Sequence, residues 1–498
     1  MSNSFSPAQS VSRREFLKRS AVLAGAGIAA PLVNDLALVS STAHARSDDD
    51  YRALVCVFMY GGNDSMATFV PSDDASFQRL SELRGHLVPD RRSLLPLGRD
   101  DRSGREISFA PQLGGVKSIF DRGDLAVIAN VGPLVAPMTK KMYDSIKNRP
   151  PQLFSHNDQQ STWQSSRPEG STEGWAGRLG DLLLSENGDH SAFTCMSTAG
   201  HAVMMSGQSV SQFQVDPQGV VQLDVPFRSS ALLDGLQEVM VSSDRSAFGA
   251  AYRDVTESGL RSAAVLDGAV VSEPLGFPRS PLGRQLDMVA RLIDAGKNRL
   301  GMTRQVFFVG TGGFDTHAAQ GTDHPGLLLD LDVSLTMFDD GLRRMGLSEA
   351  VTTFTASEFG RTITANASGT DHGWGAHHMV MGGAVAGGRI VGSLPEIDDD
   401  GADDVGRGRL LPSLSTAQYS GALASWMGAD AGEVSQFIPG ISRFDPIDSS
   451  LFGRGKLVSN DPSGPGGNAG GSGDRRAGLL GSTRGLSRAQ RSSRPQKP

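Results

Sequence analysis

Residues 52–60 read RALVCVFMY and run straight into Gly61-Gly62-Asn63-Asp64-Ser65. An apolar run without alternation is the pattern of a strand covered on both faces, and the glycines that end it release the chain into a turn. The theme returns at Asp124–Val131 (DLAVIANV), Gln305–Gly310 (QVFFVG) and Val351–Thr355 (VTTFT). Between the last two, Leu328, Leu331, Leu335, Phe338 and Leu342 recur at steps of three and four, which predicts an amphipathic helix over Pro325–Met345. Ser280–Leu300 reads the same way. Buried strands alternating with amphipathic helices specify an α/β fold, a largely parallel sheet with helices on both faces. Residues 61–120 and 199–280 are less regular and read as insertions, with hairpin-like pieces around Val220–Val225. In such a fold the functional site lies beyond the carboxyl ends of the strands.

The N-terminus carries an address. Ser12-Arg13-Arg14-Glu15-Phe16-Leu17-Lys18 precedes an apolar run from Ala21 to Pro31, and Ala43-His44-Ala45 offers small residues at a cleavage position. Paired arginines ahead of a short, glycine-containing apolar core describe a twin-arginine signal, so residues 1–45 are expected to be removed and the mature protein to be periplasmic or secreted. Its partners in that step would be the twin-arginine translocase and a signal peptidase. The run is shorter than the ~20 residues a spanning helix needs, and no transmembrane helix is expected in the mature chain.

Residues 1–45 carry +2 and residues 454–498 carry +7, so a whole-chain charge of −7 leaves −16 on residues 46–453. An acidic body argues against nucleic acid as a ligand. Residues 46–453 form the α/β domain of this reading, and residues 454–498, rich in Gly, Ser and Arg, read as a disordered basic tail. Cys56 and Cys195 both lie in apolar runs and fit either one disulfide or two buried thiols.

The residues with chemistry follow the strands: Asp64, then Ser155-His156-Asn157-Asp158, Asp315-Thr316-His317, Glu358, and Asp371-His372 with His377 and His378. Carboxylates and imidazoles gathered from several strand ends are the material of a site for one or two divalent metals, with Zn, Mn, Mg and Ca all compatible. Each piece also has a structural alternative. Asp64 suits a turn or a helix cap, Glu358 an ion pair with Arg361, Asp315-Thr316-His317 a hydrogen-bonded turn, and His317 and His372 satisfied structural histidines.

Three motifs narrow the choice. Phe314-Asp315-Thr316-His317, Ser357-Glu358-Phe359-Gly360-Arg361 and Gly369-Thr370-Asp371-His372-Gly373 resemble the hallmarks of a bacterial secreted family known as domain of unknown function 1501. Gly61-Gly62-Asn63-Asp64 and Gly174-Trp175-Ala176-Gly177-Arg178-Leu179 resemble its N-terminal half, and the resemblance spans roughly Leu54 to Pro439. It implies a fold like that of the alkaline phosphatase and sulfatase superfamily, whose members use two metals and a Ser or Thr nucleophile at a helix start. Carried over, Asp64 and Glu358 would serve one metal and Asp315, His317 and His372 the other. Phe359 stands where the superfamily has a further imidazole ligand, which His156 would then supply. Ser155 matches the nucleophile best, and Arg178 or Arg361 would clamp the anion. The implied activity is metal-dependent hydrolysis of a small phosphate or sulfate ester. The alternative is a noncatalytic exported binding or surface protein that has kept the fold.

Overall fold

The computed structural model describes residues 51–452, apart from residues 101, 220–246, 272–273 and 448. The twin-arginine segment, its cleavage site, the hairpin-like pieces near Val220 and the basic tail lie outside the described residues.

Nine strands form the main sheet: β1 (Arg52–Met59), β2 (Leu125–Gly132), β3 (Cys195–Ser197), β4 (Phe213–Gln214), β5 (Arg304–Thr311), β6 (Val351–Ala356), β7 (Ala376–Met381), β8 (Arg389–Val391) and β9 (Leu414–Ser415). Their order is β8-β2-β7-β6-β1-β5-β3-β4, with β9 also paired to β2. β1 is central and runs parallel to both β5 and β6, with Cys56 opposite Phe308 and Phe354. Only β7 is antiparallel to its neighbours β2 and β6. The largely parallel sheet expected from the apolar runs is therefore what forms.

Burial on both faces explains why these runs do not alternate. Ala53, Val55, Val57 and Met59 of β1 point into one core. Leu54, Cys56 and Phe58 point into the other. The first core is closed by α1 (Gly114–Asp121), and the second by α2 (His156–Ser165) and α3 (Trp175–Leu183). Further along the chain, α4 (Pro281–Asn298) and α5 (Gln320–Arg344) cover the first core, and α6 (Thr416–Trp426) the second. Each buried Leu, Ile or Phe contributes about 1.5–3 kcal/mol, so the two cores carry the stability.

α4 starts where its sequence says, with the Ser280 side chain accepting from the Gly283 backbone N–H and Pro281 at the first helical position. α5 starts at Gln320, five residues before the expected Pro325. Tertiary bonds hold that extra turn: the Gln320 backbone N–H donates to the Ser368 carbonyl, and its side chain bonds Asp64 and Thr370.

Cys56 and Cys195 are both free and buried, on strands separated by β5, so the disulfide alternative is excluded. Burial pushes the Cys56 thiol well up. Among the described residues no helix is long and apolar enough to cross a membrane.

Candidate functional site

The carboxyl ends of β1, β5 and β6 open into one crevice. Gly61, just past β1, has φ +117, and a Cβ there would lie 2.3 Å from the Asp315 backbone nitrogen. Only glycine lets the turn after β1 and the loop after β5 approach this closely. That loop carries Asp315 and His317. An antiparallel ribbon, Arg361–Ala365 against Thr370–His372, presses on it and pairs Arg361 with His372. Asn366 of the ribbon donates to the His317 carbonyl and to Asp371. Long after β2, the chain delivers His156 at the start of α2.

Four of the expected residues converge. Asp315 Oδ1 lies 3.1 Å from His317 Nε2 and 3.2 Å from His372 Nε2, and its Oδ2 lies 3.4 Å from His156 Nε2. His317 Nε2 and His372 Nε2 are 2.9 Å apart. Ligands of one tetrahedral ion, each ~2.0–2.2 Å from it, stand about 3.3–3.6 Å from one another. His156, Asp315 and His372 each offer a ligand atom within 4.8 Å of the others, as a shared ion requires, and His317 lies against the last two.

The other ring nitrogens decide how these histidines are protonated. His156 Nδ1 faces Glu358 Oε1 at 2.8 Å, His372 Nδ1 faces the Phe154 carbonyl at 2.8 Å, and His317 Nδ1 faces Asp371 Oδ1 at 3.2 Å. All three partners can only accept, so a proton on each Nδ1 satisfies them and each Nε2 is left turned toward Asp315. Lone pairs facing a carboxylate, and one another at 2.9 Å, repel unless a cation or a proton lies among them. Anchoring the far nitrogen of an imidazole is also how proteins orient metal-binding histidines.

Electrostatics match this arrangement. Burial would raise the Asp315 pKa, but Arg361 and the three histidines outweigh it and hold the carboxyl below its ordinary value. The hydrogen bond to Glu358 raises His156, against burial. Burial lowers His372.

Several expected residues stand elsewhere. Asp64 is wholly buried and caps the short helix Ser65–Thr68 through the backbone N–H groups of Met66 and Ala67. Its other oxygen accepts from Arg84 at 2.6 Å and from Gln320. Burial opposes ionisation there, but Arg84 and His324 outweigh it and keep the pKa below its usual value. Every side of this carboxylate is met by a protein donor, which removes it from the ligand set. Glu358, wholly buried, accepts from Gly61 N–H, His156 and Gln160, so it supports His156 from behind and shares no ion with Asp64.

The two arginines expected to clamp an anion are both buried, one away from the centre and one against it. Arg178 is buried and donates to the carbonyls of Phe437, Glu173 and Ser165. Burial brings its pKa down to about 10. Arg361 has a fully buried side chain and gives Nη1 to Asp315 Oδ1 at 3.0 Å, while its Nε and Nη2 have no hydrogen-bond partner among the described residues. His377 and His378 lie inside β7, and burial pushes them to about 4 and about 3. Ser155 is the N-cap of α2, with its hydroxyl donating to Asp158 Oδ2 at 2.7 Å.

A model for the family described as protein of unknown function, DUF1501, matches residues 51–409. The chain belongs to that family. Solved structures similar to this DUF1501 protein include Ps i-CgsB with k-i-k-neocarrahexaose, at 9% identity and a TM-score of 0.32, covering 81% of this chain and 76% of that one. Ps i-CgsB alone gives 8% and 0.34, over 78% and 74% of the two chains. PsFucS1 sulfatase from Pseudoalteromonas sp. gives 9% and 0.32, over 81% and 72%. No curated protein matches the chain.

Sequence reasoning missed Asp371 as the anchor of His317, although it adjoins His372. It also missed Phe154, whose carbonyl anchors His372. A main-chain acceptor in the left-handed region, at φ +74, leaves no mark in residue type.

Proposed function

We propose that this DUF1501 protein is an exported, metal-dependent hydrolase of phosphate or sulfate esters, built on one metal centre. The observation that carries the reading is the set of three histidines, each anchored at Nδ1, whose Nε2 atoms gather on Asp315. His156, Asp315, His317 and His372 would hold the ion, and Zn or Mn suits their nitrogen-rich donors. When bound, the ion supplies Lewis acidity to the nonbridging oxygens of the ester.

The remaining work falls to the chain. Ser155, the residue before His156 and at the head of α2, would serve as the nucleophile. Its Oγ attacks phosphorus or sulfur as the bond to the ester oxygen breaks, and the hydroxyl proton passes to Asp158 Oδ2, to which it is already bonded. Water then cleaves the new Ser155 ester. Arg361 keeps Asp315 ionised and fixed, and Glu358 and Asp371 keep the imidazole lone pairs turned inward. Twin-arginine export suits a protein that loads its metal and folds before crossing the membrane.

Metal analysis of protein purified from its export host tests the first half. Near-stoichiometric metal is expected, lost on Asp315→Ala or His317→Ala. Trace metal indifferent to both substitutions would favour the noncatalytic binding protein. A screen of aryl phosphates and aryl sulfates, with Ser155→Ala as control, tests the second half. Metal without turnover of either class would point to a different scissile bond.

A further inference from the structure

Arg178 is spent on backbone carbonyls and the Arg361 side chain is fully buried against Asp315, so neither stands open to an incoming tetrahedral anion. Arg409 is half-buried beside the centre. Its Nε donates to the His372 carbonyl at 3.3 Å, and its guanidinium carbon lies 4.0 Å from the centre of the Phe154 ring. Phe154 is the residue whose carbonyl accepts from His372 Nδ1. One residue therefore holds both the imidazole and the arginine.

The backbone shows that this arrangement is imposed. Phe154 has φ +74 and Gln152 has φ +49, both in the left-handed region. A bulky residue there costs on the order of 1–3 kcal/mol and persists where surrounding contacts overdetermine it. Here the strain turns the Phe154 carbonyl to His372 while its ring lies under Arg409, next to the proposed nucleophile.

Arg409 is also unspent. Tyr143, Arg407, Asp371 and Asp404 are within electrostatic reach, but neither Nη1 nor Nη2 makes a hydrogen bond among the described residues. A planar fork fixed at Nε and by stacking, with two nitrogens open, is prepared for bidentate contact with an oxyanion. Stacking on Phe154 also lowers the entropy lost when that contact forms.

We propose that Arg409 is the anion-binding residue of this site, gripping two nonbridging oxygens of a phosphoryl or sulfuryl group. The proposal rests on the metal-centre reading, and the test separates the two. Full-length protein from the export host is assayed for metal content, and inorganic phosphate and inorganic sulfate are then titrated into it by calorimetry. Arg409→Gln is expected to weaken the preferred anion about ten- to hundredfold with metal content and Tm unchanged. Arg409→Lys, which keeps the charge without the fork, should lose several-fold, and it carries the test if the glutamine variant unfolds. The anion that binds more tightly distinguishes a phosphate ester site from a sulfate ester site. A metal-loaded wild type that binds neither anion, or a folded variant that binds as tightly as wild type, overturns the role of Arg409 and leaves the metal centre standing. A wild type without metal takes down both.

Discussion

Two carboxylates, Asp64 and Glu358, show how neighbouring acids take separate tasks. Asp64 pairs with Arg84 at 2.6 Å, both side chains being almost fully buried. Removing one partner of such a pair strands the other charge, so Asp64→Ala should destabilise the fold by about 3–5 kcal/mol. Metal stoichiometry in the folded fraction should survive, because none of the Asp64 partners is a ligand. Urea titration with parallel metal analysis checks both halves, and loss of metal at unchanged stability would return Asp64 to the ligand set. Glu358 predicts the opposite pattern. Glu358→Gln keeps the shape but removes the charge that orients His156, so metal affinity should fall about 10–100-fold. Chelator competition reads that change directly, and an unchanged affinity would mean that the His156 ring is fixed by other contacts.

At the scale of elements, the loops after β1 and β5 meet through a contact that tolerates no extra atoms. Gly61→Ala would place a Cβ 2.3 Å from the Asp315 nitrogen, in a conformation that L-residues rarely adopt. The expected cost is about 3 kcal/mol or more, accompanied by weaker metal binding, since the loop carrying Asp315 must retreat. Thermal melts and metal titration of this variant measure the coupling of the two loops. The strands themselves were legible in the sequence, because β1, β2, β5 and β6 are buried on both faces and read as runs rich in apolar and β-branched residues without alternation. The start of α5 was not, since Gln320 is fixed by Ser368, Asp64 and Thr370, all remote or on another element. The same reason governs the site. Asp315, His317, His372 and His156 could be picked out by residue type and strand-end position, whereas the division between ligand and support depends on which nitrogen faces which oxygen. Arg409 lies outside every motif and is recognised only by what it touches.

For the molecule as a whole, buried histidines outside the site set the acid limit of the fold. Burial drives His324 and His377 to about 4 and His378 to about 3, against an ordinary value of 6.5. Among the described residues His378 has no hydrogen-bond partner at either ring nitrogen, and it packs against Trp163 with ring centres 4.9 Å apart. Above pH ~6.5 these rings are neutral in both the folded and unfolded chain and contribute nothing to pH dependence. As pH falls from ~6.5 to ~4, the unfolded chain takes up protons that the folded chain refuses, so stability declines by about 1.4 kcal/mol per pH unit for each histidine. Proton uptake by the folded state does not relieve this until the lower values are reached. Urea unfolding at pH 7, 6 and 5 should therefore show a loss with acidification that is steepest below pH 6. His378→Phe keeps a ring against Trp163 and removes one titrating group, so its curve should be flatter by about one proton's slope, with stability at pH 7 unchanged or raised. The difference between the two curves cancels the titration of the metal-site histidines, which both proteins share. Parallel curves would show that His378 is protonated as readily in the fold as in the unfolded chain, and that the core around β7 admits water.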